Sequence, residues 1–302
     1  MADLPGIFLN ILGPVFLLVA LGALLGRRVA LDAQTLAKLS YWLLGPFFVF
    51  DILASADLEP GLILRMVGAT FAVMAAVGVG VALIAGALGR PRPAASAGVV
   101  TSIYGNVGNF GLAIVAFTFG EGALPLAGIV LLTVNITGLI VGVGAATSLT
   151  SPPWKVVRSA LLAPMTLAVP PAMAVNVTNW DMPLWLDRPV SLLAGALIPI
   201  MLVTLGVQIS GMERPHINSD VALPLVAKLL AAPALAWAAA GLLGLTGTPA
   251  GVVILQSAMP AAVFTALIAL EHDLVPDLTT TIVLTGTLAS VVTLPVVIAL
   301  VS

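Results

Sequence analysis

Apolar residues run through this chain in ten long stretches, at approximately 7–26, 34–55, 61–88, 94–119, 123–147, 155–177, 188–211, 219–245, 249–271 and 277–301. A helix needs roughly 20 mostly apolar residues to cross the hydrocarbon core of a bilayer. Each stretch meets that length, and the connections are too short for a separate soluble domain. The pattern predicts an all-α integral membrane protein with ten transmembrane helices.

Two of the ten stretches are interrupted. The fourth contains Ser102-Ile103-Tyr104-Gly105-Asn106-Val107-Gly108-Asn109-Phe110-Gly111. Each interior glycine costs about 1 kcal/mol of helix propensity relative to alanine, so the helix is expected to unwind near Asn106. The ninth contains Gln256-Ser257-Ala258-Met259-Pro260-Ala261. Pro260 removes a backbone donor and collides with the preceding turn.

These interruptions recur at a fixed distance. Ala97-Gly98-Val99-Val100 reappears as Ala250-Gly251-Val252-Val253, an offset of 153 residues, and Pro46 falls on Pro199 at the same offset. Pro260 then falls on Val107, which places both breaks at matching depth. The halves are 1–150 and 153–302, with five helices each. Five is odd, so the second half enters the membrane from the opposite side, as an inverted repeat.

A broken helix exposes N–H groups on one half and C=O groups on the other. The half-helix N-terminus carries partial positive charge and can hold an anion. Unwound backbone at membrane depth is tolerated where protein or a water-filled cavity surrounds it. Paired breaks in inverted halves point to a substrate site at the midplane, built from Tyr104, Gly105, Asn106, Gly108, Asn109, Gln256, Ser257, Met259 and Pro260. The alternative for either element alone is close helix packing or a simple kink.

Composition supports the membrane assignment. Residues AVILMFWYC make up 60% of the chain and charged residues 8%, with a mean hydropathy of +1.18. A soluble domain carries roughly 25% charge, so the partner here is the lipid bilayer. A net charge of -2 argues against nucleic acid. With no cysteine, there is no disulfide framework, thiolate metal site or cysteine nucleophile. The start lacks the basic region of a signal peptide and reads as the run-in to a retained first helix.

Positive charge sets the expected orientation. With the N-terminus outside, Arg27, Arg28, Lys38, Arg90, Arg92, Lys155, Arg158, Arg214 and Lys228 fall in cytoplasmic loops and helix ends, against Arg65 and Arg188 outside. Nine against two places both termini in the periplasm.

The fourth-helix segment Asn106-Val107-Gly108-Asn109-Phe110-Gly111-Leu112-Ala113 and Met259-Pro260 in the ninth resemble motifs of the auxin efflux carrier family, with the resemblance running over essentially the whole chain. Ala113 stands where family members usually have proline, which leaves the glycines to open helix four. The resemblance implies a bacterial inner-membrane carrier of a small organic anion, a carboxylate such as a dicarboxylate or an aromatic acid. It also implies a fold similar to sodium/bile acid symporters and sodium/proton antiporters, with helices four and nine broken and crossed. Scaffold and transport bundles then mix helices from both halves. A homodimer is a further implication of the resemblance.

Asp51 lies inside the second stretch. It reads either as a proton relay or cation ligand, or as an acid that reaches water at the outer end of its helix. Ser55 is four residues on. Their repeat partners, Thr204 and Gln208, share one helix face. All four are expected to line the cavity or couple an ion, or else to form interhelical hydrogen bonds. Asn135 and Thr137 read as packing contacts. His216 and His272 sit at loop edges with no metal-site spacing, and Glu271, His272, Asp273 and Asp277 form a solvated loop.

These features predict a secondary active transporter working by alternating access. No Walker motif is present, so ATP does not drive transport through this chain. The coupling ion is expected to be a proton or sodium; Asn106 and Asn109 offer oxygens to sodium as readily as donors to a carboxylate. No resident cofactor or metal is expected. No Lys or Arg is expected near the breaks, which leaves amides and helix dipoles to bind the anion. A sodium-coupled organic-anion symporter, a channel and a transporter-like receptor are the rivals. A membrane enzyme finds no nucleophile–base or metal constellation here, so no enzymatic activity is expected.

Overall fold

A computed structural model describes residues 4–147, 153–212, 215, 217–272 and 274–302. Arg214, His216 and Asp273 lie outside the described residues, as do the side chains of Lys155, Glu271 and His272. The described residues form helices and no strand: α1 (Leu4–Arg28), α2 (Ala33–Ala54), α3 (Pro60–Ala87), α4 (Arg92–Ile103), α5 (Val107–Phe119), α6 (Leu124–Thr147), α7 (Pro153–Leu161), α8 (Pro164–Leu167), α9 (Val169–Thr178), α10 (Leu184–Ser210), α11 (Ser219–Leu242), α12 (Gly247–Ser257), α13 (Phe264–His272) and α14 (Pro276–Val301).

Among the described residues, seven segments are long and apolar enough to cross a membrane: α1, α2, α3, Glu121–Gly138, α10, α11 and α14. The stretches expected at 94–119, 155–177 and 249–271 are instead assembled from shorter helices: α4 with α5, α7 to α9, and α12 with α13. The stretch at 155–177, read from the sequence as one helix, is divided near Pro164 and Pro170-Pro171, where missing N–H groups and ring clashes stop helix propagation.

Proline also shapes the long helices. A five-residue π turn precedes Pro14, Pro46 and Pro233, at Phe8–Leu12, Ser40–Leu44 and Ala227–Ala231. In each, the residue just before the proline bonds five back: Gly13 to Phe8, Gly45 to Ser40 and Ala232 to Ala227. The widened turn moves the carbonyl that the proline ring would strike. A fourth such turn, Val107–Gly111, opens α5. Ala113 holds the position that proline holds after the other three, so this turn keeps its width without the ring.

The outer surface is apolar. Leu17, Leu64, Leu83, Leu192, Leu242 and Val292 are each more than half exposed. Such a surface suits lipid and would aggregate in water. Both interruptions lie in the interior, where Phe110, Leu112, Ile114, Leu255 and Met259 are fully buried. The end of α2 is tied to α9 by Asn176, whose amide nitrogen reaches the carbonyls of Leu53, Ala54 and Ala56 at 3.0, 3.2 and 2.7 Å.

Candidate functional site

The chain leaves helical geometry after Ile103 and again after Ser257. These two irregular segments meet. The N–H of Asn106 donates to the carbonyl of Pro260 at 2.7 Å, and the N–H of Ala262 donates to the carbonyl of Tyr104 at 2.9 Å. Gly105 and Ala261 thus pair antiparallel, the one isolated bridge among the described residues. Backbone groups freed at a helix end need partners when water is excluded. Here each break supplies them to the other.

Side chains lock the pairing. The Tyr104 hydroxyl donates to Asn135 Oδ1 at 2.8 Å, and its ring lies 5.7 Å from that of Phe264. Gly138 makes room, since a methyl group there would strike the Tyr104 ring. Asn135, read from the sequence as a packing contact, is the acceptor that holds Tyr104 against α6. Gly108 faces Met201 of α10, where an added methyl would lie 3.0 Å from the Met201 methyl carbon. Asn109 is half-buried, and Met259 and Pro260 are buried.

The structure corrects the placement of Lys228. It lies not at a helix end but in the π turn of α11, nine residues from the start of that helix. That is about 14 Å inward at the usual rise, close to half the thickness of a hydrocarbon core. Lys228 is 5% exposed, and its Nζ donates to the carbonyl of Ser257 at 2.9 Å. An added methyl on Gly105 would lie 2.9 Å from the same Nζ. The ammonium group therefore sits against both breaks at once. The expectation that no Lys or Arg approaches them is wrong. The signal was available: a lone lysine well inside an apolar run is an intramembrane charge, which marks function by default.

Gln256 reaches across to the other break, where its amide covers Gly111; a methyl group on Gly111 would collide with it. Both amide atoms of Gln256 and the amide nitrogen of Asn106 are buried without a hydrogen-bond partner. A cavity of about 20 Å³ opens beside them, lined by Lys228, Gln256, Ser257, Ser102 and Thr70 together with apolar side chains. That is space for a single water molecule.

Of the other four sequence-chosen residues, Asp51, Ser55 and Thr204 make their hydrogen bonds elsewhere. Asp51 is half-buried and accepts from the Ser191 hydroxyl at 3.2 Å, and exposed Ser55 donates to the Asp51 carbonyl. Thr204 is buried and turned onto its own helix, donating to Ile200 at 2.7 Å. Gln208 Oε1 is buried without a partner. Ser191 precedes Thr204 by thirteen residues on α10, about 20 Å along a helix, so Asp51 does not converge with Thr204 and Gln208.

Residues 153–298 match a family described as Membrane transport protein. A stretch of 124 residues is 28% identical to an uncharacterized transporter of Methanothermobacter thermautotrophicus. The match spans 41% of this chain and 41% of that relative's length. Residues 153–298 of this multi-pass membrane chain are thus similar to a membrane transport protein domain, and the chain spans less than half the length of the relative it matches.

Proposed function

We propose that this protein is a secondary carrier that moves a small organic anion, a carboxylate, by alternating access around the meeting point of its two helix breaks. The paired hydrogen bonds between Asn106 and Pro260 and between Ala262 and Tyr104 carry this reading. They bring two half-helix C-termini and two half-helix N-termini to one buried place, the arrangement by which carriers hold charged substrates within a bilayer. In this reading the chain crosses the membrane ten times as two inverted five-helix halves, 1–150 and 153–302, with α4–α5 and α12–α13 as crossed broken spans. The interruption points, Ile103 and Ser257, are 154 residues apart, within one residue of the sequence offset. Tyr104, Gly105, Asn106, Gly108, Asn109, Gln256, Ser257, Met259 and Pro260 form the substrate site. The coupling ion is a proton or sodium, with Asp51 as the first residue to examine. With Lys228 inside the membrane, the charge count becomes eight against two, a bias that still supports periplasmic termini in a bacterial inner membrane.

Reconstituted vesicles test the reading. A carrier exchanges labelled carboxylate with saturation and counterflow, and Asn106→Ala and Pro260→Ala abolish exchange while leaving the protein folded in detergent. Non-saturating flux without counterflow identifies a channel instead. Unchanged exchange by both variants removes the crossing from the mechanism. Exchange by Asp51→Asn across a range of pH and sodium separates proton from sodium coupling.

A further inference from the structure

We infer that Lys228 is the counter-charge of the substrate site, and that it selects a carboxylate bearing a single negative charge on an otherwise apolar body. This inference rests on the carrier reading above and names the substrate class of that same site.

The argument starts from what Lys228 lacks. An ammonium group has three donors. Among the described residues Lys228 makes one hydrogen bond, to Ser257, and no ion pair. A buried ion costs several kcal/mol unless an opposite charge compensates it, and a single carbonyl compensates little. Evolution tolerates such a group where something charged arrives to meet it.

Its neighbours want the same kind of visitor. The amide nitrogens of Asn106 and Gln256 are buried and unpaired, beside a lysine with two donors unspent. Each orphaned buried donor costs about 1–3 kcal/mol, and native proteins keep few of them. These donors, Lys228 and Gln256 in the cavity wall and Asn106 next to its wall residue Val107, are matched by an acceptor with several lone pairs and a negative charge. A carboxylate is that acceptor, with two oxygens to share among an ammonium and two amides. A cation would meet Lys228 as a like charge.

The count of charges and the character of the walls narrow the class. Lys228 is the one cationic side chain lining the cavity, so a dianion would leave one charge uncompensated in a buried place. Most of the remaining wall is apolar, with Val73, Met74, Val77, Val107, Val130 and Val134 offering an apolar body favourable contact, and the Thr70 and Ser102 hydroxyls in it already donate to Met66 and Gly98 of their own helices. At about 20 Å³ the cavity admits no such molecule as it stands, so the breaks must part for it to enter, as alternating access requires.

The test uses the whole protein in proteoliposomes, with benzoate as the monoanionic probe, malonate as the dianionic probe and choline as the cationic control. Wild type is expected to exchange benzoate with saturation, malonate weakly and choline not at all. Lys228→Met loses benzoate affinity by roughly ten- to a hundredfold, the effect of removing a charged hydrogen bond. Should Lys228→Met fail to fold, Gln256→Glu replaces the incoming anion with a resident one. It is expected to raise the melting temperature in detergent and to lose benzoate exchange. Benzoate affinity within twofold of wild type in Lys228→Met or in Gln256→Glu overturns the role of Lys228 and leaves the carrier reading standing. Preference for malonate overturns the single-charge assignment alone, and exchange of choline overturns the anion. Absence of saturable exchange of all three probes by wild type defeats the carrier reading itself.

Discussion

Gly206 of α10 meets Gly22 of α1 almost backbone to backbone: a methyl group built on Gly206 would lie 2.9 Å from the Gly22 α-carbon and would strike the Val19 carbonyl. Gly22 and Gly26 of α1 form a small-xxx-small stripe that lets the two helices approach closely. In lipid, where the hydrophobic effect does not drive helices together, such contact is a main source of association.

Replacing Gly206 by alanine must push α1 off its seat, because the obstructing atoms are main chain and cannot rotate away. Overpacking of this kind costs about 1–3 kcal/mol. A melt in detergent should show Gly206→Ala unfolding well below wild type. Gly80→Ala supplies the opposite sign. That glycine lies within α3 with nothing within 4 Å of an added methyl, and the change should raise stability by about 0.5–1 kcal/mol. Equal melting temperatures for the two variants would contradict the packing account.

Asn176 shares its two amide N–H groups among three carbonyls at the end of α2. Asn176→Leu should leave those carbonyls unpaired and cost about 1–3 kcal/mol. Because α2 also carries Asp51, hydrogen exchange at Leu53 to Ala56 should quicken first. Protection there equal to wild type would show that the cap contributes nothing.

Ala113 occupies a proline position: it follows the widened turn Val107–Gly111 at the spacing by which Pro14, Pro46 and Pro233 follow theirs, where the turn leaves room for the ring. Ala113→Pro is therefore expected to fold and to gain up to about 1 kcal/mol by restricting the unfolded chain. The same exchange within α3, Ala76→Pro, should cost about 3 kcal/mol or more. Misfolding of Ala113→Pro would mean that the turn at Val107–Gly111 differs from the other three.

Asp32 caps α2 from the loop that precedes it, accepting from the N–H groups of Gln34 and Thr35 at 3.3 and 2.8 Å and from the Thr35 hydroxyl. The Thr35 hydroxyl, above all, with the two backbone bonds, holds this carboxyl below its ordinary value of 3.8. A depressed value means that the ionised form is favoured by folding. Its contribution is present above the unfolded value and is lost as pH falls through the lowered one. Asp32→Ala should consequently flatten the acid side of the stability profile, below about pH 4, while Asp32→Asn keeps part of the cap at every pH. Melts of the three proteins between neutral pH and that range measure the difference.

Local composition made much of this molecule readable in advance. A stretch of twenty apolar residues has few places to go other than lipid, because the cost of wetting it accumulates residue by residue. Glycine and proline announce breaks because their effect is confined to the turn they occupy. The interruptions beside Tyr104 and Met259 are legible for that reason, whereas the division of 155–177 into three helices is not read from the sequence.

Lys228 was misplaced because side-chain charge was counted along one dimension, as if each lysine belonged to its nearest loop. Its surroundings are set by α4 and α12, more than a hundred residues away in one case and nearly thirty in the other. The same holds for Gln256, which spans to Gly111, and for Asp51, which pairs with Ser191 rather than with its repeat partner. What the sequence determined by itself was a helical, multi-pass chain apolar enough for a bilayer and the places near Tyr104 and Met259 where helical geometry stops, since both follow from short-range chain energetics. Which donors come to rest against one another at those breaks was decided only by tertiary packing, because a buried ammonium finds its neighbours through the crossing of distant backbones.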